Sequence, residues 1–424
     1  MTIRALMCAA LSAGDSEIVN PLISDDSNAA ANVLSKVGTE IHKEDDVWKV
    51  AGGKFRIIQE DLDCGESATT LRFMTAIASL IPGSHRLVGG PSLSARPIGS
   101  LVDALKKLGV NVSTEKLGLP PVNVEGGTFR GGSTEIPGNV SSQFISALLL
   151  ISPFSPKGAS IKLTTPLTSK PYILMTLWCL KQFGINIQRE GNKFIILRQK
   201  YVPTSVKIES DWSSASYFLA LGAMSEGGVL IQNLNLASLQ GDRVIIEILR
   251  EMGARVRISG INTVVDYDKL KGIHADLSDC IDLLPTLAVL AAVAKGKTEL
   301  IGIQRARIKE SNRVAAIREG LTKIGVTVIE DENRLTIIGK DSFAVVTEDD
   351  YEDTDEEESK KEDPLEKGPI DIDSRNDHRI AMAFGVLGAA LGNIVIDGAE
   401  CVAKTFPSFW DELKGLGGEV QLDE

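Results

Sequence analysis

The sequence contains no apolar run approaching the ~18–20 residues needed to span a bilayer, which argues against a membrane-spanning helix. Cysteine is sparse and scattered. Cys8, Cys64, Cys179, Cys280 and Cys401 are odd in number and include no CxxC pair. That pattern excludes a zinc ribbon and a disulfide framework, and predicts free thiols in a reducing compartment. Basic charge is in deficit, with 45 Lys and Arg against 57 Asp and Glu. No basic face of the kind that binds nucleic acid is present. The acidity is local. Of the net charge of −12, −9 lies in residues 346–368, leaving −3 for the rest of the chain. A block this acidic, with one aromatic residue, cannot bury a core and reads as a solvated insertion.

What remains has an ordinary globular composition, 43% hydrophobic and 24% charged. At 424 residues it exceeds a single core and predicts two domains. The opening ALMCAALSAG has the outline of a short signal peptide. Its apolar stretch is short and its basic flank is Arg4 alone, so it reads as a helix with Arg4 at its head.

One unit recurs six times. Helical Leu/Ala patterns run into KVGTEI, KLGVNV, QFGINI, EMGARV, KIGVTV and GLGGEV. In each, a glycine is expected to end the helix in the left-handed conformation, and alternating β-formers start a strand. A second strand follows in most copies, as in DVWKV, NKFIIL and NRLTIIG. The marker glycines, Gly38, Gly109, Gly184, Gly253, Gly325 and Gly417, are spaced by 71, 75, 69, 72 and 92 residues. The last interval is longer by about the length of the acidic block. Six units near 70 residues predict two pseudo-symmetric domains of three units each, 1–208 and 209–424.

Polar residues gather where these helices begin. The stretch GNVSSQF sets Ser141, Ser142 and Gln143 before an apolar helix. CGESATTLRFM offers small residues, including Ala68, at another helix start. In SLSARPIG, Arg96 precedes Pro97, read as the first residue of a helix. LTSKPYI brings Ser169 and Tyr172 to an X-Pro start. QRARIKESNRVA crowds Lys309, Glu310 and Arg313 at a helix entrance, with Lys309 and Arg313 on one face. NDHRIAM places Arg379 in a first turn, and CVAKTFPSF places Lys404 on a loop. First turns carry free N–H groups and the positive end of the dipole, so each is an anion site in outline. Arg96, Arg313, Arg379 and Lys404 together suit two ligands bearing phosphates and carboxylates.

RAL, VSSQF, SKPY, SSASYF, QGD, KESNR, NDHRIAM and AKTFP stand in an order that resembles the 5-enolpyruvylshikimate-3-phosphate synthase (3-phosphoshikimate 1-carboxyvinyltransferase) family over nearly the whole chain. The resemblance implies an α/β fold of two domains, each of three βαβαββ-type repeats in an inside-out barrel arrangement, with the active site in the interdomain cleft. It implies transfer of the enolpyruvyl group of phosphoenolpyruvate to the 5-hydroxyl of shikimate 3-phosphate, without metal or organic cofactor. The expected working form is a cytoplasmic monomer with no nucleic-acid or membrane partner.

By the same resemblance, Arg4 meets the shikimate carboxylate. Ser141, Ser142 and Ser169 hold its 3-phosphate, while Gln143 and Tyr172 line the ring. Ala68, Arg96, Gln143 and Lys404 attend phosphoenolpyruvate and its phosphate, and Arg313 and Arg379 its carboxylate. Asp282 is the base near the 5-hydroxyl. Lys309 contacts shikimate 3-phosphate, and Glu310 moves protons at the methylene carbon. Without the resemblance, Asp282 reads as a helix cap and Glu310 as a partner for Arg313.

Several positions depart from the family pattern. Ala68 stands where many members have glycine, Glu66 where many have asparagine, and Ile281 where proline is common. The family reads PGSKSxxxRAL ahead of the arginine. The Lys and Ser of that pattern are expected upstream of Met1, so the chain as it stands is expected to begin inside the site and to be a poor catalyst. Two other readings compete. The enolpyruvyl transferase acting on UDP-N-acetylglucosamine carries GGCxxxxRP, where this chain has GGPSLSARP with Pro91 at the cysteine. The other is a non-catalytic anion-binding protein.

Overall fold

The computed structural model describes residues 1–57, 59–340 and 364–421. The chain divides into two compact units, Met1–Glu209 with Leu239–Gly241, and Ser210–Ser238 with Asp242–Glu424. Each has its own apolar core.

The first unit is built from three four-stranded sheets of one pattern. In the second of these, Leu62–Asp63 pairs in parallel with Gly83–Val88, which pairs antiparallel with Leu119–Gly126, and that with Asn111–Lys116. Helices Ala68–Ala78 and Gly99–Lys107 fill the connections, giving the βαβαββ order. Gly132–Ile136, Ala159–Leu163, Lys193–Ile196 and Gln188–Glu190 repeat it. Ser205–Lys207, Gly14–Val19, Val47–Gly52 and Glu40–Lys43 repeat it again, the parallel edge now coming from the far end of the unit.

Among its described residues the second unit has one complete copy, His274–Asp276, Lys297–Ile301, Arg334–Ile338 and Thr327–Glu330. It adds a three-stranded sheet, Val229–Ile231, Asn262–Asp266 and Arg255–Ser259, and the parallel pair Ile370–Asp373 and Ile394–Asp397.

The six marker glycines all lie just past helices, with φ between +79° and +107°. In that region a Cβ is strained, so each ends its helix as the pattern requires. Hairpin strands follow the first five. After Gly417 the described residues form no strand, contrary to the expectation for GLGGEV.

The two helices of a repeat differ in kind. One is half-buried and amphipathic, such as Gly99–Lys107. The other is apolar nearly all round, and such a helix belongs in a core. Thr2–Leu11, Ala68–Ala78 and Ser142–Ile151 are almost wholly buried in the first unit. Trp212–Met224, Leu284–Val293 and His378–Leu391 are buried in the second. Helices inside and sheets outside is the inside-out arrangement. Among the described residues no helix is long and apolar enough to cross a membrane.

The acidic block falls largely on 341–363, outside the described residues. Its last residues, 364–368, are described. Pro364–Lys367 forms a 3-10 turn with Leu365 buried and its carbonyl accepting from Asn393 Nδ2 at 3.0 Å.

Candidate active site

The buried helices begin with polar residues, and in each unit those beginnings meet. In the first unit Arg4, in the first turn of Thr2–Leu11, is 7% exposed and donates from Nε to Thr176 Oγ1 at 2.9 Å. Its Nη2 lies 3.5 Å from the Tyr172 carbonyl, and its guanidinium lies over the Phe73 ring at 5.7 Å. Burial lowers its pKa. Among the described residues Arg4 makes no ion pair, so a buried cation stands without a protein counter-charge.

Ser141 is the N-cap residue of Ser142–Ile151, and Ser142 its first residue. Gln143 Nε2 donates to Thr69 Oγ1 at 2.8 Å, and Gln143 Oε1 accepts from Arg72 Nη1. The same Nη1 lies 3.4 Å from Ser141 Oγ. Arg72 also covers the Phe144 ring at 4.9 Å. Ser169 caps Lys170–Gln182 in a left-handed conformation at φ 54°, with Pro171 in the first turn and Tyr172 beyond it. Arg96 is 8% exposed. Its neighbour Pro97 is not the first residue of a helix. The next helix starts at Gly99, and Arg96 instead closes the turn after the short helix Pro91–Ser94.

The second unit centres on Arg313, 1% exposed at the start of Arg313–Lys323. Nη1 donates to Asp282 Oδ1 at 2.9 Å, Nη2 to Glu310 Oε2 at 2.7 Å, and Nε to Asp377 Oδ2 at 2.8 Å. Lys309 Nζ is 3.3 Å from Asp282 Oδ1, and Arg379 Nη2 is 3.5 Å from Asp282 Oδ2. Lys404 Nζ reaches Glu310 Oε1 at 3.2 Å. Three carboxylates and four cations thus form one network.

Its electrostatics follow from burial and charge. Burial works to raise the pKa of Asp282, but Arg379, Lys309 and Arg313 outweigh it and hold the carboxyl well below the usual range. Asp377 is likewise lowered, Arg313 overcoming burial. Asp242 goes the other way. It is 2% exposed, accepts from Ser213 Oγ through Oδ2, and is pushed up to about 7 by burial and by the charge of Asp282. His378 is pushed down to about 3 by burial. Among the described residues no group of three or more His, Cys, Asp or Glu is arranged to hold a metal ion.

Three details differ from the sequence reading. Lys309 and Arg313 do not share a helical face, because Lys309 lies ahead of the helix in a non-helical conformation. They meet at Asp282 instead. Lys404 is the last residue of the 3-10 helix Ala399–Lys404 and not a loop residue. Asp282 caps no helix. It sits inside the 3-10 turn Ile281–Leu283 and spends its oxygens on cations.

Arg72 and Asp242 were not singled out by the sequence reading, and Asp377 entered it only as part of the polar cluster before a helix. Each had a signal. Arg72 is a charge within the apolar run LRFMTAIA, Asp377 precedes a buried helix, and Asp242 belongs to QGD.

Residues 1–413 match the family model of EPSP synthase (3-phosphoshikimate 1-carboxyvinyltransferase). The chain belongs to this family. A 3-phosphoshikimate 1-carboxyvinyltransferase of Dehalococcoides mccartyi is 43% identical over 427 residues, covering 100% of this chain and 94% of the relative. One of Methanocaldococcus jannaschii is 37% identical over 428 residues, covering 99% and 94%. The solved EPSP synthase of Acinetobacter baumannii superimposes with a TM-score of 0.77 at 27% identity, covering 100% and 94%. The relatives named here are transferases.

Proposed function

We propose that this chain transfers the enolpyruvyl group of phosphoenolpyruvate to the 5-hydroxyl of shikimate 3-phosphate, releasing phosphate, in aromatic amino acid biosynthesis. The observation that carries the reading is Asp282 held among Lys309, Arg313 and Arg379. The reaction needs a base at an attacking hydroxyl and cations for the carboxylate beside it.

The first unit supplies the shikimate 3-phosphate residues. Arg4, which makes no ion pair among the described residues, offers a buried charge to the ring carboxylate. Ser141, Ser142 and Ser169 offer hydroxyls and first-turn N–H groups to the 3-phosphate. Gln143 and Tyr172 lie beside them, Gln143 oriented by Arg72 and Thr69. Arg96 serves the phosphate of phosphoenolpyruvate, and Ala68 and Gln143 attend the same substrate. The second unit adds Lys404 for that phosphate, Arg313 and Arg379 for its carboxylate, and Lys309 for shikimate 3-phosphate.

The proton steps follow from charge. With three cations around it, Asp282 is a weak base. When Arg313 and Arg379 turn part of their charge to the substrate carboxylate, the basicity of Asp282 rises. It then takes the proton of the 5-hydroxyl as that oxygen bonds to C2, while Glu310, protonated in the reactive complex, gives its proton to C3. Phosphate departs with the electrons of the C2–O bond and carries away the proton held by Asp282, restoring that carboxylate, and Glu310 recovers the C3 proton as the double bond reforms. Preplaced cations stabilise the charge on the departing phosphate.

The domains we propose are 1–208 and 209–424, each of three repeats. The working form we propose is a cytoplasmic monomer with small-molecule substrates alone.

The test is phosphate release from the purified chain with both substrates, and identification of the carboxyvinyl ether. Release that requires shikimate 3-phosphate supports the reading. Release with UDP-N-acetylglucosamine in its place, or none with either acceptor, overturns it.

A further inference from the structure

Glu66 presents a carboxylate beside elements read as binding a phosphate. Its oxygens are already spoken for. Oε1 accepts the backbone N–H of Ser92 at 3.2 Å, and Oε2 that of Leu93 at 2.8 Å. Both amides belong to the first turn of the short helix Pro91–Ser94, whose N–H groups have no partner within the helix. The backbone adds a third tie, Gly90 N–H to the Gly65 carbonyl at 2.8 Å. Gly90 permits this closeness, since a Cβ there would lie 2.2 Å from Glu66 Oε1.

Two rigid connections lead away from this clasp. On one side, Leu93 O accepts the N–H of Arg96 at 3.0 Å, so the clasped turn also fixes the backbone of Arg96. On the other, Glu66 is two residues before Ala68, the first residue of helix Ala68–Ala78, and Ser67 N–H bonds Cys64 O at 3.0 Å. One carboxylate therefore joins the turn ending in Arg96 to the turn that starts the Ala68 helix.

We propose that Glu66 is a positioning residue for the phosphate end of phosphoenolpyruvate, setting Arg96 and the start of the Ala68 helix in register with each other. The inference rests on the assignment of Arg96 and Ala68 to that substrate. A charge-assisted bond from a carboxylate to backbone N–H groups is among the stronger hydrogen bonds, and here both carboxylate oxygens are engaged by the turn.

The test is steady-state kinetics of the full chain with Glu66→Gln, Arg96→Ala and the double variant. The glutamine keeps one acceptor and turns an amide donor toward the second N–H. Glu66→Gln is expected to raise KM for phosphoenolpyruvate about tenfold, with kcat and KM for shikimate 3-phosphate changed less than about twofold. In the Arg96→Ala background it is expected to add less than about twofold, because it acts through Arg96. An unchanged KM for phosphoenolpyruvate in Glu66→Gln overturns the proposal while leaving Arg96 in place. Full additivity in the double variant also overturns it. An unchanged KM in Arg96→Ala overturns the assignment of Arg96 and the proposal with it. If Glu66→Gln yields little folded protein, Glu66→Ala, which removes both acceptors and adds no donor, is read by the same criteria.

Discussion

Arg313 Nη1 donates to Asp282 Oδ1 at 2.9 Å, joining two residues that belong to different helix starts 31 positions apart. The bond makes Arg313 both a ligand-binding cation and the keystone of a buried carboxylate cluster. Its other nitrogens hold Glu310 and Asp377.

Arg313→Ala therefore leaves three acids facing one another with their shared cation gone. Breaking a buried pair by removing one partner typically costs about 3–5 kcal/mol. A fall of that order in unfolding free energy is expected from urea titration, together with loss of turnover. Arg313→Lys keeps the charge but cannot reach three carboxylates in fork geometry, and should fall between. A loss under about 1 kcal/mol in the alanine variant would show that the cluster does not depend on Arg313.

Asp282→Asn and Glu310→Gln nearly preserve shape and remove proton-transfer capacity. Each should lower kcat by about 10²–10⁴, the usual contribution of a positioned acid or base, with KM changed only a few-fold. Near-wild-type kcat in either variant would remove that residue from the proton steps.

Much of this arrangement is legible in the sequence, for physical reasons that differ by element. The marker glycines are readable because only glycine enters the left-handed region freely, and Gly253 at φ 106° ends its helix as the pattern requires. The buried helices are readable because residues such as Leu284–Val293 are apolar all round. Side-chain networks are less so. Nothing in the spacing of Asp282, Glu310, Arg313 and Asp377 says that one guanidinium joins them, since that depends on how separate repeats pack. The proline at 97 misled because an X-Pro corner also ends a turn, as it does after Pro91–Ser94. Lys309 misled because the i,i+4 rule holds only inside a helix, and the helix begins at Arg313.

Asp242 and His378 predict opposite slopes of stability with pH. His378 is held neutral, its pKa lowered from 6.5 to about 3, and it faces Asp377, Glu310, Arg379 and Lys404. Between those values the unfolded chain binds the extra proton, so its contribution is lost as pH falls through 6.5. Asp242, raised from 3.8 to about 7, faces Asp282, Arg379, Ser213 and Asp211. There the folded chain binds the extra proton, so its contribution is lost as pH rises from about 4 toward 7. Each slope is about 1.4 kcal/mol per pH unit, and in the wild type they largely cancel between pH 4.5 and 6.5. Asp242→Asn should therefore become less stable on acidification across that window, and His378→Asn more stable. Urea midpoints at pH 4.5 and 6.5 read the difference. Parallel profiles in all three proteins would show that neither group is held in the stated form.

The acidic block invites a deletion whose ends the fold now fixes. Leu365 is buried and its carbonyl holds Asn393, so a cut extending to 366 would damage the second unit. Removing 348–362 instead takes out ten acids and two lysines and leaves 341–347 and 363 as the connection. A Cβ placed on Gly325 would lie 3.4 Å from Pro364 Cδ and 3.6 Å from Lys340 Nζ, so both ends of the segment reach the same glycine. Eight extended residues span up to about 26–29 Å, ample for that closure. At physiological salt the removed charges act over a Debye length of about 8 Å, so kcat and both KM values should stay within about twofold. At low salt a lower repulsion of two polyanionic substrates should raise kcat/KM. The measurement is kcat/KM for each substrate across a salt series. A large loss at ordinary salt would show that the block helps to form the site, and an unchanged low-salt value would show that its field never reaches the substrates.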